Sequence, residues 1–403
     1  MKKFYFLFTF LFLTHFAKAQ DPDAFIMTFE ITDDANSSII VPIVQDDDNN
    51  YTVDFGDGTI LTNQTGNVSH TYSAVGTYTV SLTGTFKHIK FYDIPPFYYS
   101  LKLKTIEQWG TNQWASMENA FFGSIYLILN ATDTPDLSQV TDMSNMFGYV
   151  AYFNQPLNNW DVSNVTNMAG LFLAANSFNQ PLDSWDVSNV TNMRLMFSGA
   201  FDFNQPIDNW DVSNVTDMEG MFSEAYSFNQ DISEWNFNSS VSFTFNGNFE
   251  DYYGFVSNSG LSIINYDLLL QQFVTLELQN KTFYAAGLEY CNSDIHSYLT
   301  NNLGWTITED SLIETEECSL NINSLEADTL ISVYPNPTNG ILNISSKGNT
   351  ILEEVKIYNL QGRELFGSVQ HLETINIEDL SAGIYLMNIK TNQGSVSKRV
   401  IKK

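Results

Sequence analysis

Basic residues are scarce: the 403-residue sequence holds 17 Lys and Arg against 46 Asp and Glu, a formal net charge of -29. Such a surplus disfavours nucleic acid and anionic lipid as partners, since both need clustered cations. Its simplest role is to keep the protein soluble. Cysteine is nearly absent. Cys291 and Cys318 are the only two, and in an oxidising compartment they most simply form one disulfide. A catalytic cysteine would want a neighbouring histidine, and His296 is the one local candidate. The few histidines include no pair at zinc-ligand spacing, and no G-x-S-x-G occurs. Beyond the first twenty residues no stretch is long and apolar enough to read as a membrane span.

Those first residues form a different pattern. Lys2 and Lys3 precede a largely apolar run from Phe4 to Phe16, and Ala17-Lys18-Ala19 makes an A-x-A cleavage site, so residues 1–19 read as a secretory signal and the mature chain as starting near Gln20. Loss of Lys2, Lys3 and Lys18 leaves 14 basic residues against 46 acidic ones, a balance of about -32. The excess acid is uneven. From Ile331 onward there are eight Lys or Arg and six Asp or Glu, so the rest of the mature chain carries nearly all of it.

Between Ile26 and Asp93, short β-branched and aromatic runs such as Ser38 to Val44 and Gly76 to Thr83 alternate with polar turns, which predicts a small antiparallel sandwich. YTVDFGDGT, from Tyr51 to Thr59, joins an alternating strand to a glycine-bearing turn. HTYSAVGTYTV, from His70 to Val80, supplies a second turn and strand. These two pieces resemble the PKD domain family, an immunoglobulin-like module of surface proteins. Asp54 and Asp57 offer oxygens of the kind calcium takes; capping of their own turn is the simpler reading, and no other cofactor is implied.

The middle of the chain is an internal repeat. Trp160, Trp185, Trp210 and Trp235 recur every 25 residues, as do Phe153, Phe178, Phe203 and Phe228. A unit this short cannot bury its own apolar residues, so successive coils must stack and share a core. Val162, Val165, Met168, Leu171 and Phe172 are expected to point inward with their counterparts, and Asn154, Asn179, Asn204 and Asn229 to satisfy backbone groups at buried corners. The tryptophans either pack inside or offer a flat aromatic strip; both readings stand at this stage. Asp161, Asp186 and Asp211 form one column, about 5 Å between neighbours if coils are spaced like strands. Turn capping is the simpler account of that column, bridging calcium the other. Arg194 is the single basic residue between Pro135 and Ser240, so the outer face is acidic and amide-rich. FNQPLNNWDVSNVTNMAGLF resembles the repeat of BspA-like surface proteins, leucine-rich-repeat relatives also found in mycoplasma lipoproteins. The resemblance implies an αβ or β solenoid and, for some members, adhesion.

The repeat phase is lost after Trp235. Leu261 to Phe273 reads as a short amphipathic helix and Cys291 to Trp305 as a second one ending near Gly304, together a cap over the open end of the core. After an acidic linker, Val333 to Ile344, Val355 to Leu365, Leu380 to Lys390 and Ser395 to Lys403 read as strands of a small β-sandwich. YPNPTNG, IYNLQGREL, LSAGIYLMNI and KRVIKK are similar to the type A sorting domain of the type IX secretion system, which delivers signal-bearing proteins from the periplasm to the cell surface and is usually removed by a sortase-like peptidase. The resemblance makes Lys398, Arg399, Lys402 and Lys403 parts of an export signal.

The expected chain is therefore mainly β and multidomain: signal 1–19, PKD-like immunoglobulin sandwich 20–98, leucine-rich-repeat-like solenoid 99–240, its helical cap 241–318, linker 319–331 and sorting domain 332–403. The expected function is that of an exported, non-catalytic binding or adhesion protein with a protein or polysaccharide ligand contacted through Trp160, Trp185, Trp210, Asp161, Asp186 and Asp211. A spacer of a surface assembly and, less favoured, a secreted hydrolase are the alternatives. A hydrolase would need a nucleophile and base outside the repeats, whereas the carboxylates here recur with the repeat.

Overall fold

The computed structural model describes residues 21–33, 36–92, 98–244, 254–313, 331–346, 350–359, 363–381, 383–392 and 394–403. The expected secretory signal, Cys318 and nearly all of the expected linker lie outside them. The described chain is mainly β and divides into two compact units, one comprising residues to Gln205 with Trp210–Val215, the other Pro206–Asn209 with Thr216 onward.

The first unit begins with β1 (Phe25–Ile31), β2 (Ser38–Val41), β3 (Asn50–Asp54), β4 (Ile60–Gln64), β5 (Val68–Thr71) and β6 (Gly76–Thr85). A short helix α1 (Tyr98–Lys102), β7 (Leu103–Gln108) and β8 (Ile128–Leu129) follow. Six strands form one sheet in the order β4-β3-β6-β1-β7-β8, while β2 and β5 pair separately. Tyr51 and Val53 of β3 and Val80 and Leu82 of β6 are buried, the alternation of strands with one face on a core. At the DFGDG turn Gly56 has φ +78°, and a Cβ there would lie 2.5 Å from the Thr79 carbonyl oxygen. Only glycine fits.

The sheet does not stop at residue 98, where the sequence suggests a boundary. β7 pairs antiparallel with β1, Met27 opposite Ile106, and β8 pairs parallel with β7, Thr105 opposite Ile128. Trp114 meets Phe25 and Phe86 edge-on at 5.2 and 5.4 Å between centroids. The sandwich and the first coil of the repeat thus share both a sheet and an aromatic core.

From there the 25-residue units stack with very little regular strand. Single parallel bridges join Asp142 to Asn167 and Asn167 to Asn192. Met143 N–H donates to Asn167 O and Met168 N–H to Asn192 O, each at 2.9 Å, and Phe172 N–H reaches Met196 O at 2.9 Å. The apolar positions fall into buried columns: Val162, Val165, Met168, Leu171 and Phe172 are all inside, as are Met193 and Met218. Phe147, Phe172 and Phe197 stack at 5.9 and 5.5 Å, and Phe153, Phe178 and Phe203 at 6.0 and 6.1 Å. One coil position always takes a left-handed backbone: Asn119, Asn145, Gly170, Leu195 and Gly220 have φ between +54° and +64°. Glycine and asparagine tolerate this, whereas Leu195 bears strain.

In the second unit the same ladder runs on past Trp235. Phe222 N–H donates to Phe255 O at 2.7 Å, Glu224 N–H to Ser257 O at 2.8 Å, Asn258 N–H to Ala286 O at 2.7 Å and Ala285 N–H to Thr308 O at 2.9 Å. The expected helices are present as α2 (Ile263–Thr275) and α3 (Ser293–Asn302), with β9 (Thr282–Tyr284), β10 (Glu289–Tyr290), β11 (Thr306–Thr308) and β12 (Ser311–Leu312) around them. β9 and β11 pair in parallel, as do β10 and β12. Residues 254–308 therefore continue the coiling that the sequence suggests has ended. Ser262, whose Oγ caps α2 by accepting Asn265 N–H, also donates its own N–H to Asn229 Oδ1 at 2.8 Å. Asn179 makes the same bond to Asn154 at 3.0 Å, so α2 starts where the next coil's asparagine would stand.

The last part of this unit holds β13 (Ile331–Tyr334), β14 (Ile341–Ser346), β15 (Leu352–Tyr358), β16 (Glu364–Ser368), β17 (Thr374–Asn376), β18 (Gly383–Thr391) and β19 (Gly394–Lys402). They form sheets of order β13-β14-β17 and β16-β15-β18-β19 around one apolar cluster that includes Leu342, Ile344, Val355, Ile357, Met387 and Val400. This is the small sandwich the sequence predicts.

Candidate binding face of the repeat array

The tryptophan column is internal. Trp160, Trp185 and Trp210 are 6%, 4% and 4% exposed, and their environments repeat. Trp185 Nε1–H donates to Leu157 O at 2.9 Å, Trp210 to Leu182 O at 3.1 Å and Trp235 to Ile207 O at 2.9 Å, always 28 residues back. A buried indole N–H needs such a partner. The exposed-strip alternative is thereby corrected: these rings join coils and present no face to a ligand.

The aspartates do lie outside. Ser163 N–H and Oγ–H donate to Asp161 Oδ1 at 3.1 and 2.6 Å, Ser188 does the same to Asp186 at 3.1 and 2.6 Å, and Ser213 N–H reaches Asp211 at 3.1 Å. The serine hydroxyl, then the serine amide, hold all three carboxyls below the ordinary aspartate value, and repulsion from Asp186 is the weakest influence on its two neighbours. Each carboxylate closes its own turn and leaves its other oxygen to solvent or a partner.

The asparagines satisfy the backbone as expected, but from positions that are exposed or half-buried. Asn154 Oδ1 accepts Asn179 N–H and Gln180 Nε2–H at 3.0 and 2.9 Å; Asn179 Oδ1 accepts Asn204 N–H and Gln205 Nε2–H at 3.0 and 2.8 Å. The result is an outward amide ladder. Exposed tyrosines also stand on the array: Tyr126, Tyr149 and Tyr152 in the first unit. Sequence reasoning missed them because they do not recur through the repeat.

At the expected calcium turn, Asp54 Oδ1 accepts Gly56 N–H at 3.0 Å and Asp57 Oδ1 accepts Thr59 N–H at 2.9 Å. Asp57 Oδ2 lies 2.7 Å from His70 Nε2. Burial pushes the Asp57 carboxyl up, but the bonds from Thr59 and His70 outweigh it and leave it low. Among the described residues no group of three or more His, Cys, Asp or Glu is placed to hold a metal ion.

Cys291 is disulfide-bonded. Its N–H and that of Asn292 donate to the buried carboxylate of Asp267 at 3.2 and 3.3 Å. Lys398, Arg399 and Lys402 lie on β19 with Lys403 just beyond, the side chain of Arg399 being outside the described residues. The YPNP turn grips this strand: Ile401 N–H donates to Asn336 Oδ1 and Thr338 N–H to Ile401 O, both at 2.8 Å.

The described chain is a multidomain β chain with a tandem repeat and a C-terminal strand module. Known families give the same division. Residues 22–87 match the PKD domain, and residues 82–187 and 157–259 each match a family described as Mycoplasma protein of unknown function, DUF285. Residues 332–403 match the secretion system C-terminal sorting domain. No curated protein matches the chain. The DUF285 match begins before the PKD match ends, which accords with the shared sheet. The sorting domain assigns the chain to type IX secretion, to the cell surface or the exterior. None of the three families is a catalytic one, and among the described residues no helix is long and apolar enough to cross a membrane.

Proposed function

We propose that the protein is a surface binding or adhesion protein without catalysis, in which residues 99–240 form the partner-contacting solenoid and 241–318 its closing coils. The PKD-like sandwich at 20–98 is the spacer, and 332–403 the address removed after export. One observation carries this reading. The apolar columns of the repeat are consumed in joining coils, while aspartate, asparagine and glutamine recur outward on a regular spacing, which suits extended recognition and provides no pocket. Protein and glycan arrays incubated with the purified chain test it. Saturable binding that maps to the repeat is expected. Hydrolytic turnover abolished by a single carboxylate substitution would overturn it, and no ligand on any array would leave the spacer role.

Export has its own test: deletion of residues 332–403 is expected to strand the protein in the periplasm. Normal surface display of the truncated chain would refute the address.

A further inference from the structure

One column of the array changes character along its length. Leu127, Phe153, Phe178 and Phe203 each donate N–H to the carbonyl three residues back, Ser124, Val150, Ala175 and Ala200, and so occupy one coil position. The residues just before them, Tyr126, Tyr152, Ser177 and Asp202, form the adjoining outer column. Tyr126 and Tyr152 stack at 5.9 Å with planes 17° apart. At Tyr126, the first ring of the column, Lys104 Nζ sits 4.5 Å from the ring centroid while pairing with Glu30 Oε2 at 3.1 Å. That end is a carboxylate, an ammonium and an aromatic face in sequence. At the other end Ser177 is too small to cover the second face of Tyr152, which is 67% exposed, and the next residue in the column is the exposed Asp202.

We propose that Tyr152 and Asp202, with Ser177 as the floor between them, seat an arginine or lysine side chain of a basic polypeptide. The dimensions fit. Two coil steps span roughly 10 Å if coils are spaced like strands, and a cation reaches a ring centroid within about 6 Å and a carboxylate within about 4 Å. Charge selects the occupant: Arg194 is the one basic residue between Pro135 and Ser240, in a chain of net charge -29, so the surrounding field draws cations and repels anionic partners. The Lys104–Tyr126 contact shows the same aromatic column already holding an ammonium. This inference rests on the array being the binding element and adds the chemistry of what it binds.

The test is a fluorescent peptide of alternating arginine and glycine, titrated into the purified chain at low ionic strength and followed by anisotropy. The expected result is saturable binding that is lost when arginine is replaced by citrulline, which keeps the shape without the charge. Tyr152→Ala should weaken it about two- to fivefold, the usual worth of an exposed cation–aromatic contact. Tyr152→Phe should retain it, Asp202→Asn should weaken it, and Asp294→Asn, an equal change of charge at an exposed position of α3 outside the repeat face, should not. Circular dichroism checks that each variant is folded. No binding, or equal losses from Asp202→Asn and Asp294→Asn with Tyr152→Ala silent, overturns the seat. So does a neutral β-glucan oligosaccharide whose binding requires Tyr152. Array partners that bind the Tyr152→Ala protein undiminished would sink this inference alone, whereas absence of any array partner would sink the reading beneath it.

Discussion

Trp185 and Leu157, 28 residues apart, are joined by one hydrogen bond from the indole N–H to the carbonyl at 2.9 Å. The bond crosses from one coil to the next inside the core, so the side chain that fills the coil also ties it to its neighbour. Replacement by phenylalanine removes this donor, leaving Leu157 O with the Trp160 N–H that it also accepts at 3.0 Å, and leaves part of the indole's buried space unfilled. Trp185→Phe is expected to cost about 1–3 kcal/mol in chemical denaturation, and an unchanged midpoint would show that the bond contributes nothing.

Gly170 takes φ +62°, and a Cβ there would lie 2.2 Å from Asn145 Oδ1. Gly170→Ala should therefore destabilise by about 1–2 kcal/mol from the left-handed backbone alone. The neighbouring coil makes the control: Leu195 holds φ +54° at the equivalent position, and Leu195→Asn should be tolerated or gain stability by thermal melting.

Asp161, Asp186 and Asp211 have carboxyls lowered by serine hydroxyls and amides. For an acid whose folded value is depressed, the added stability is present above the unfolded value and is lost as pH falls through the folded one. The amide resonances of Ser163, Ser188 and Ser213 should hold steady through the neutral range and shift together only below the ordinary aspartate value. Movement near neutrality would contradict turn capping. If capping is the whole role, addition of calcium should leave these resonances in place.

Asp267 behaves in the opposite sense. Burial raises its carboxyl, only partly offset by the amides of Asn292 and Cys291. Its ionised form thus costs stability as pH rises from the unfolded value through the folded one. Yet truncation should be worse, since Asp267→Ala leaves two buried amides without an acceptor, about 1–3 kcal/mol. Asp267→Asn keeps one acceptor and should fall between, in urea titrations at neutral pH.

The repeat was legible because its side chains recur: a column of Phe147, Phe172 and Phe197 predicts its own stacking. Whether Trp160 and its partners faced in or out was not legible, because a large amphipathic ring serves either side and only a carbonyl from the preceding coil decides. The pairing of β1 with β7 was hidden for another reason. It joins residues some eighty apart by backbone bonds that leave no mark in side-chain periodicity. The coils of residues 254–308 escaped notice because α2 replaces the Phe-to-Trp stretch that signals a unit, while the ladder itself runs through Gly and Asn at left-handed positions. The Tyr152 step could have been found by aligning units and asking where a column changes from tyrosine to serine.

The sheet that runs from β6 through β1 into β7 has a consequence for how such a chain can be cut and recombined. A gene fragment ending at residue 98 would deprive β1 of its neighbour and expose a raw strand edge, together with Phe25 and Phe86 that Trp114 now covers, an invitation to aggregation. Grafting this sandwich onto another cargo should therefore succeed only when the first coil travels with it.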